Sequence, residues 1–220
     1  MKDSYQIVGD LAKFYDTMLT NSNLLGSLAL KIFWGLDAKS YKKFFSQAFA
    51  GIPKNFSGKL LEVPVGTGVL SLPVYQKLNG AEIFCVDYSK KMLDVAKARS
   101  ERLNLRGVKF FQGDVANLPF EENFFDLVLS INGFHVFHDK NAAWSETYRV
   151  LKGGGIFCGC MYVKGENRRT DFFVEKFCEP LGFFSPPYET FESLEKKLRE
   201  KFSRAQISHV ESFAGFICTK

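Results

Sequence analysis

The feature that most constrains this chain is a short apolar run that leads into a glycine turn, over residues 60–68. Residues 59–63 have the length and apolar character of a buried strand, and residues 69–78 are compatible with a helix. In parallel sheets, such a strand brings the chain to the sheet edge, glycines let the backbone approach a ligand, and a helix N-terminus faces it. The turn therefore predicts a nucleotide site, provided that other segments supply the remaining walls.

Strand-like and helix-like segments alternate from residue 58 onward. Further strands are predicted at residues 81–86, 108–111, 125–130, 156–163, 205–209 and 212–219. The last two are joined by a very short link, which requires a hairpin and therefore an antiparallel strand. The pattern predicts an α/β fold: a Rossmann-like, doubly wound, seven-stranded sheet, mostly parallel with a C-terminal antiparallel hairpin. Three glycines at residues 153–155 are expected to form the turn before the fifth strand.

The first 56 residues show helical periodicity without strand alternation. Apolar residues of the first segment recur at helical spacing: Leu11, Phe14, Tyr15, Met18 and Leu19. Residues 24–34 are almost wholly apolar, so we expect them to be buried, and Asp37 is suited to cap a third helix. We expect residues 1–56 to form a helical cap over the active site, and residues 57–220 to form the ligand-binding domain.

Composition limits the class of protein. The chain has 220 residues, 46% of them hydrophobic, and a net charge of +5, which indicates a globular domain and leaves an anionic partner open. No apolar run reaches the roughly 18 residues that span a membrane, and no signal peptide is visible, so we expect a cytoplasmic protein. The five cysteines lack metal-ligand spacing, so reduced thiols and no metal site are expected.

Acidic residues follow three neighbouring predicted strands. Glu62 ends the first strand, Asp87 the second, and Asp114 comes just after the third. In an open parallel sheet these side chains project into one crevice. Asp87 lies 19 residues after Gly68, the spacing of an acid that holds a ribose diol. Asp114 is placed to accept from an adenine amine, and Glu62 to attract an ammonium group. A ligand with adenine, ribose and a cationic amino-acid tail fits this layout better than a pyrophosphate does.

These stretches resemble the class I S-adenosylmethionine-dependent methyltransferases over roughly residues 58–163. The matching segments are residues 61–68, 86–93, 113–120, 125–130 and 148–155, in this order. Within the class, residues 118–120 and 149–152 are similar to the branch that contains ubiquinone/menaquinone C-methyltransferases and many small-molecule methyltransferases. Residues 14–16 are similar to the N-terminal cap of that branch.

The resemblance implies S-adenosyl-L-methionine as cofactor. Glu62, Gly66 and Gly68 would hold the methionine moiety, and Asp87 the ribose hydroxyls. The full implied set is Glu62, Val63, Gly66, Thr67, Gly68, Asp87, Tyr88, Met92, Gly113, Asp114, Val115, Ser130, Asn132 and, from the cap, Tyr15. Pro64 stands where the family usually has glycine, so we expect an extended first turn residue.

The resemblance further implies in-line transfer of an activated methyl group, and we expect the acceptor to be a small, apolar or aromatic molecule. His135 is the candidate general base, with shape-forming or substrate-contacting residue as the alternative. We expect Tyr15, Phe33, Trp34 and Phe45, with the insertion 164–188, to shape the acceptor pocket. Two alternatives stay open: an RNA or protein methyltransferase, and a non-catalytic S-adenosylmethionine-binding module.

Overall fold

The computed structural model describes residues 16, 17, 19, 20 and 24–220. Its centre is a seven-stranded sheet in the order β3-β2-β1-β4-β5-β7-β6. The strands are β1 Gly58–Glu62, β2 Ala81–Asp87, β3 Val108–Gln112, β4 Phe125–Ile131, β5 Leu151–Tyr162, β6 Arg204–Val210 and β7 Phe213–Thr219. Strands β1 to β5 run parallel, and β7 is antiparallel to both β5 and β6. The predicted mostly parallel sheet with a C-terminal hairpin is confirmed.

The described helices mostly begin at a capping side chain. They are α1 Leu24–Trp34, α2 Ala38–Phe49, α3 Leu72–Tyr75, α4 Lys90–Arg102, α5 Lys140–Val150, α6 Arg168–Phe173 and α7 Phe191–Lys201, with a 3₁₀ turn at Val115–Asn117 and a π-helical turn at Val174–Cys178. Asp37 accepts from two backbone N–H groups of α2, as predicted. Thr190 and Ser193 form a reciprocal capping box on α7. Most of the predicted first helix, including Tyr15, lies outside the described residues.

The strand order reverses at β1. This strand pairs with β2 on one side and with β4 on the other. The carboxyl ends of the strands therefore border a crevice at a topological switch point, where open α/β sheets bind ligands. The turn after β1 is tied to both neighbours, because Val63 N–H donates to the Leu129 carbonyl at 3.0 Å and Val65 N–H to the Val86 carbonyl at 2.9 Å.

Both faces of the sheet are covered. Leu60 joins an apolar cluster with α1, α2 and α4, whereas its neighbour Leu61 joins a second cluster with α5 and α7. Successive side chains of a strand point to opposite faces. The fully buried pair Leu60 and Leu61 is therefore what a doubly wound sheet requires. Within the described residues, no helix is both long and apolar enough to cross a membrane.

Two predicted segments differ from the structure. The helix predicted at residues 69–78 is only Leu72–Tyr75. Pro73 lies in its first turn, where a missing N–H is tolerated, and after Tyr75 the backbone tightens into bonds three residues apart. The glycines at 153–155 lie within β5 rather than in a turn before it. Pairing shifts there from Phe125–Leu151 to Leu127–Ile156, so the glycines form an irregularity in the strand.

The expectation that residues 24–34 are buried is wrong for half of the helix. Gly26, Leu30 and Trp34 are buried in α1, but Leu24 and Leu25 are strongly exposed. A surface helix buries only one stripe, because neighbouring elements reach only one side of it. Because almost every residue of α1 is apolar, the sequence did not indicate which face of the helix would be buried.

Candidate active site

A cavity of about 590 Å³ lies at the carboxyl ends of the parallel strands. Most of the predicted site residues line it: Glu62, Val63, Gly66, Thr67, Gly68, Asp87, Tyr88, Met92, Gly113, Asp114, Val115, Asn132 and His135. Ser130 is fully buried within β4 and is not part of this lining, so its role at the sulfonium stays a prediction. Tyr15 falls outside the described residues.

The glycine turn presents open backbone to the cavity. Gly66 and Gly68 have φ angles of +55° and +66°, which glycine adopts without strain. A Cβ on Gly66 would have no heavy atom within 4 Å, whereas one on Gly68 would come within 2.5 Å of Leu72. The space beside Gly66 can therefore receive a ligand, and Gly68 lets α3 pack against the turn. The peptide bond before Pro64 is cis, which the sequence analysis did not predict.

Asp87 anchors this turn from the end of β2. Its Oδ2 accepts from Gly66 N–H at 2.8 Å, and its Oδ1 accepts from Ser89 N–H at 2.8 Å. Burial raises the pKa of Asp87 to about 6, while the two backbone N–H groups act in the opposite direction. Each carboxylate oxygen keeps a second lone pair, so Asp87 can hold the turn and still accept from a vicinal diol.

Glu62 lies almost fully buried beneath the same turn. Tyr75 Oη donates to its Oε2 at 2.8 Å, and in the described part of the chain no basic side chain pairs with it. Burial raises the pKa of Glu62 to about 8, and the negative charge of Asp87 adds to the effect. A buried acid without a cation suits a ligand that brings its own ammonium group.

Asp114 marks the far side of the crevice. It caps the 3₁₀ turn, where its Oδ1 accepts from Ala116 N–H at 2.9 Å. Asp114 is exposed, whereas Val115 beside it is buried, and both side chains line the cavity. The remaining acceptor capacity of Asp114 is compatible with an exocyclic amine, and Val115 offers an apolar surface to a flat base.

His135 is buried and takes part in a backbone contact. Its Nδ1 accepts from Tyr162 N–H at 3.1 Å, and its ring stacks on Phe184 with centroids 4.3 Å apart. Burial, with a smaller contribution from the positive charge of Lys140, lowers the pKa of His135 to about 3. The ring is therefore neutral, with its proton on Nε2, which can donate but cannot accept. This geometry weighs against the general-base prediction, which no direct observation tests.

Aromatic side chains form the other half of the cavity. They come from the N-terminal helices, the loop after β4, the insertion and the hairpin: Phe33, Trp34, Phe44, Phe137, Phe173, Phe177, Phe183, Phe184 and Phe213. Phe33 and Trp34 were predicted to shape the pocket, and they line it. Phe45 does not, because it faces Phe49 with ring centroids 4.9 Å apart. The sequence analysis placed the insertion at the pocket but did not single out Phe173 or Phe184.

A hydrogen-bonded cluster of Asp16, Thr67 and Arg99, which the sequence did not indicate, holds the glycine turn from outside. We call this cluster the polar lock. Thr67 Oγ1 donates to Asp16 Oδ1 at 2.5 Å, and Arg99 of α4 pairs with Asp16 Oδ2 at 2.6 Å. Arg99 also donates to the Thr67 carbonyl at 2.6 Å. The side chains of Asp16 and Arg99 are largely buried. The lock joins the N-terminal segment, the turn and α4, although these are distant in sequence.

Breaking the lock is expected to loosen the ligand-binding turn. Asp16→Asn or Arg99→Gln should each weaken S-adenosylhomocysteine binding by about tenfold, and the double variant should do little more, because both act on one network. Isothermal titration of the three variants measures this. Lys90→Gln is the matched control, since the Lys90–Asp94 pair on the same helix is exposed. Additive losses, or equal losses in the control, would contradict a shared lock.

The sheet topology, the glycine turn and the three acids define the class I S-adenosylmethionine-dependent methyltransferase fold. Residues 61–159 match a family model described as "Methyltransferase domain". This part of the chain is similar to the class I S-adenosylmethionine-dependent methyltransferases, whose cofactor is S-adenosylmethionine. The residues present fit this cofactor, because a buried acid without a basic partner, an open glycine and a carboxylate with remaining acceptor capacity meet in one crevice.

Relatives and solved structures agree with this class. A demethylmenaquinone methyltransferase from Thermus thermophilus is 34% identical over 122 residues, covering 56% of this chain and 53% of the relative. One from a Geobacillus species is 28% identical and covers 72% of this chain and 70% of the relative. The chain thus spans about half the length of the first relative.

Two solved structures share the fold at 20% identity. A Thermotoga maritima methyltransferase, described as a "possible histamine N-methyltransferase", has a TM-score of 0.68 and covers 98% of this chain and 99% of its own. A Haemonchus contortus phosphoethanolamine N-methyltransferase, solved with S-adenosylhomocysteine, has a TM-score of 0.66. The match covers 94% of this chain and 46% of the solved chain.

Proposed function

We propose that the chain transfers a methyl group from S-adenosylmethionine to a small, apolar aromatic acceptor of the quinone type. The observation that carries this proposal is one continuous cavity, which runs from the acidic crevice to the aromatic half. Apolar rings favour an apolar, flat acceptor over a charged one. The similarity to demethylmenaquinone methyltransferases of Thermus and Geobacillus supports a quinone-type ring. A cytoplasmic location, and residues 1–56 as a cap, stay predictions.

The crevice residues are assigned to the cofactor in this proposal. Asp87 accepts from the ribose hydroxyls, Glu62 pairs with the ammonium group, and Asp114 accepts from the adenine amine. The open backbone at Gly66 receives the methionine moiety. When bound, the cofactor supplies a sulfonium methyl that is already activated for displacement. The protein therefore contributes mainly by holding the two reactants close and aligned.

The aromatic half excludes water and orients the acceptor ring. Phe184 stacks on His135, and Trp34 packs against Phe184 with centroids 5.9 Å apart. Within the described residues no partner occupies His135 Nε2. We assign Nε2–H as a donor to an oxygen on the acceptor ring. A hydrogen bond there orients the ring and favours the ionised form of that oxygen before transfer, and the ionised oxygen makes the neighbouring ring atom more nucleophilic.

The His135 assignment predicts a particular pH response. Turnover of the wild type should show no inflection from an imidazole between pH 5 and 8, because the pKa of His135 is lowered to about 3. His135→Gln, which keeps an N–H donor, should retain more turnover than His135→Phe. Both should still bind S-adenosylhomocysteine. An acidic limb near pH 6.5 that disappears in His135→Gln would instead establish the general base.

The acceptor class is tested by following the transferred methyl group. Labelled S-adenosylmethionine and the purified chain are added to a cell extract, which is then divided into lipid-soluble, RNA and protein fractions. The proposal expects label in the lipid-soluble fraction, and its loss with Asp87→Ala. Label in RNA or protein would favour the rival methyltransferase hypotheses. Cofactor binding without label in any fraction would favour a non-catalytic module.

A further inference from the structure

The outward face of α1 is apolar. Leu24, Leu25, Leu28 and Ile32 are between 44% and 85% exposed, and they recur along one side of the helix. A surface helix of a globular protein normally presents polar residues there. Lys31 is the single charged residue in the sequence of α1.

A second apolar surface adjoins this helix. Phe172, Phe177 and Leu181, on α6 and the segment after it, are each at least half exposed. The two elements pack together, because Phe33 of α1 stacks on Phe173 of α6 with ring centroids 4.2 Å apart. We call the combined surface the mouth patch; it consists of Leu24, Leu25, Leu28, Ile32, Phe172, Phe177 and Leu181. Contiguous exposed apolar surfaces of this kind mark interaction sites.

The mouth patch is continuous with the cavity. Phe177 and Leu181 are exposed and also line the cavity. Leu30 and Trp34, on the inner side of α1, line it as well. Helix α1 therefore separates the apolar cavity from the apolar mouth patch, and the cavity reaches the protein surface beside this helix.

Positive charge accompanies the mouth patch. Lys31, Arg168, Arg169 and Lys176 lie on the same elements, are exposed, and form no ion pair within the described residues. The acids on the same segments are paired or only partly exposed: Glu175 pairs with Lys164 at 2.6 Å, and Glu166 and Asp171 are partly buried, with Asp171 accepting from Tyr162 Oη at 2.7 Å. Glu179, also on this side, is partly buried. The excess of exposed basic side chains over exposed, unpaired acids favours contact with an anionic surface.

We propose that the mouth patch docks on a lipid bilayer that contains anionic headgroups. Its apolar side chains enter the boundary between headgroups and acyl chains, while the four basic residues contact the headgroups. Under the proposed function, an apolar acceptor then passes from the bilayer into the cavity without crossing water. That second statement rests on the proposed function, whereas the docking does not.

Vesicle flotation tests the docking with neither cofactor nor acceptor present. The chain should float with vesicles of phosphatidylcholine and phosphatidylglycerol, and more weakly with phosphatidylcholine alone. The combined variant Leu25→Ser, Leu28→Ser, Ile32→Ser should partition at least about tenfold less. These residues are exposed and do not line the cavity, so turnover of a short, water-soluble acceptor should be unchanged.

A matched charge pair separates headgroup contact from general attraction. Arg168→Gln with Arg169→Gln should reduce binding to the anionic vesicles several-fold. Lys97→Gln with Arg106→Gln removes the same charge from exposed sites on and after α4 and should leave binding unchanged. Equal loss in both pairs, or equal flotation of the serine variant and the wild type, would overturn the proposal. So would a wild-type dimer in light scattering that the serine variant dissociates, since a second copy would then cover the patch.

Discussion

Asp87→Ala is expected to weaken binding of S-adenosylmethionine by about a hundredfold or more. The carboxylate holds Gly66 N–H at 2.8 Å and, in the proposed complex, both ribose hydroxyls. Hydrogen bonds to a charged group contribute about 1.5–3 kcal/mol each, and each 1.4 kcal/mol changes affinity tenfold. Loss of two such bonds, together with the anchor of the turn, gives the expected effect. Isothermal titration calorimetry measures it.

Two variants guard this result against a folding defect. Asp87→Asn preserves the shape of the side chain but keeps only one acceptor oxygen, so it should fold and bind with an intermediate affinity. Asp94→Ala removes an exposed carboxylate from α4 and should bind as the wild type does. Thermal melting of each variant establishes that it is folded. Wild-type affinity in a folded Asp87→Ala would remove Asp87 from the cofactor site.

Cofactor affinity is also expected to depend steeply on pH, with its maximum near pH 8. Burial raises the pKa of Glu62 to about 8, so below that pH Glu62 must lose a proton before it pairs with an ammonium group. Affinity should therefore fall by up to about tenfold per pH unit from pH 8 to pH 6. Above pH 8 the ligand's own α-amino group, with an ordinary pKa of about 8, loses its charge.

Glu62→Gln tests this origin of the pH dependence. It keeps an acceptor for Tyr75 but cannot ionise, so the acidic limb between pH 6 and 8 should flatten and affinity at pH 8 should fall. S-adenosylhomocysteine is the suitable probe. Thermal melting provides an independent control. Because the pKa of Glu62 in the folded protein lies above its unfolded value of 4.5, ionisation of Glu62 lowers the stability of the fold as pH rises from 4.5 to 8. Glu62→Gln should melt higher than the wild type at pH 9. An unchanged acidic limb in Glu62→Gln would contradict the assignment.

The meeting of the three acids and the glycine turn in one crevice was predictable because its determinants are local. Glu62, Asp87 and Asp114 each stand where a strand ends, and parallel strands bring their carboxyl ends to one edge. Gly66 and Gly68 were predictable for the same reason, since the turn after the strand adopts positive φ at both positions, which glycine does without strain. No distant contact had to be known.

The aromatic half and the polar lock were less predictable because they depend on contacts far apart in sequence. Phe184 meets His135, and Asp16 meets Arg99, through packing that no local pattern encodes. His135 was singled out by its position after β4, but only the bond from Tyr162 N–H shows which ring nitrogen carries the proton. The outward face of α1 escaped prediction because an almost uniformly apolar segment has no periodicity to orient it.

The central claim is methyl transfer to an apolar aromatic ring, and one assay tests it most directly. The purified chain is incubated with labelled S-adenosylmethionine and a reduced, short-chain naphthoquinone that lacks a methyl group on its quinone ring, and the product is analysed by mass spectrometry. The proposal predicts one added methyl group on the ring with the wild type and none with Asp87→Ala. No transfer to this ring by a wild-type chain that binds the cofactor and labels RNA or protein instead would contradict it.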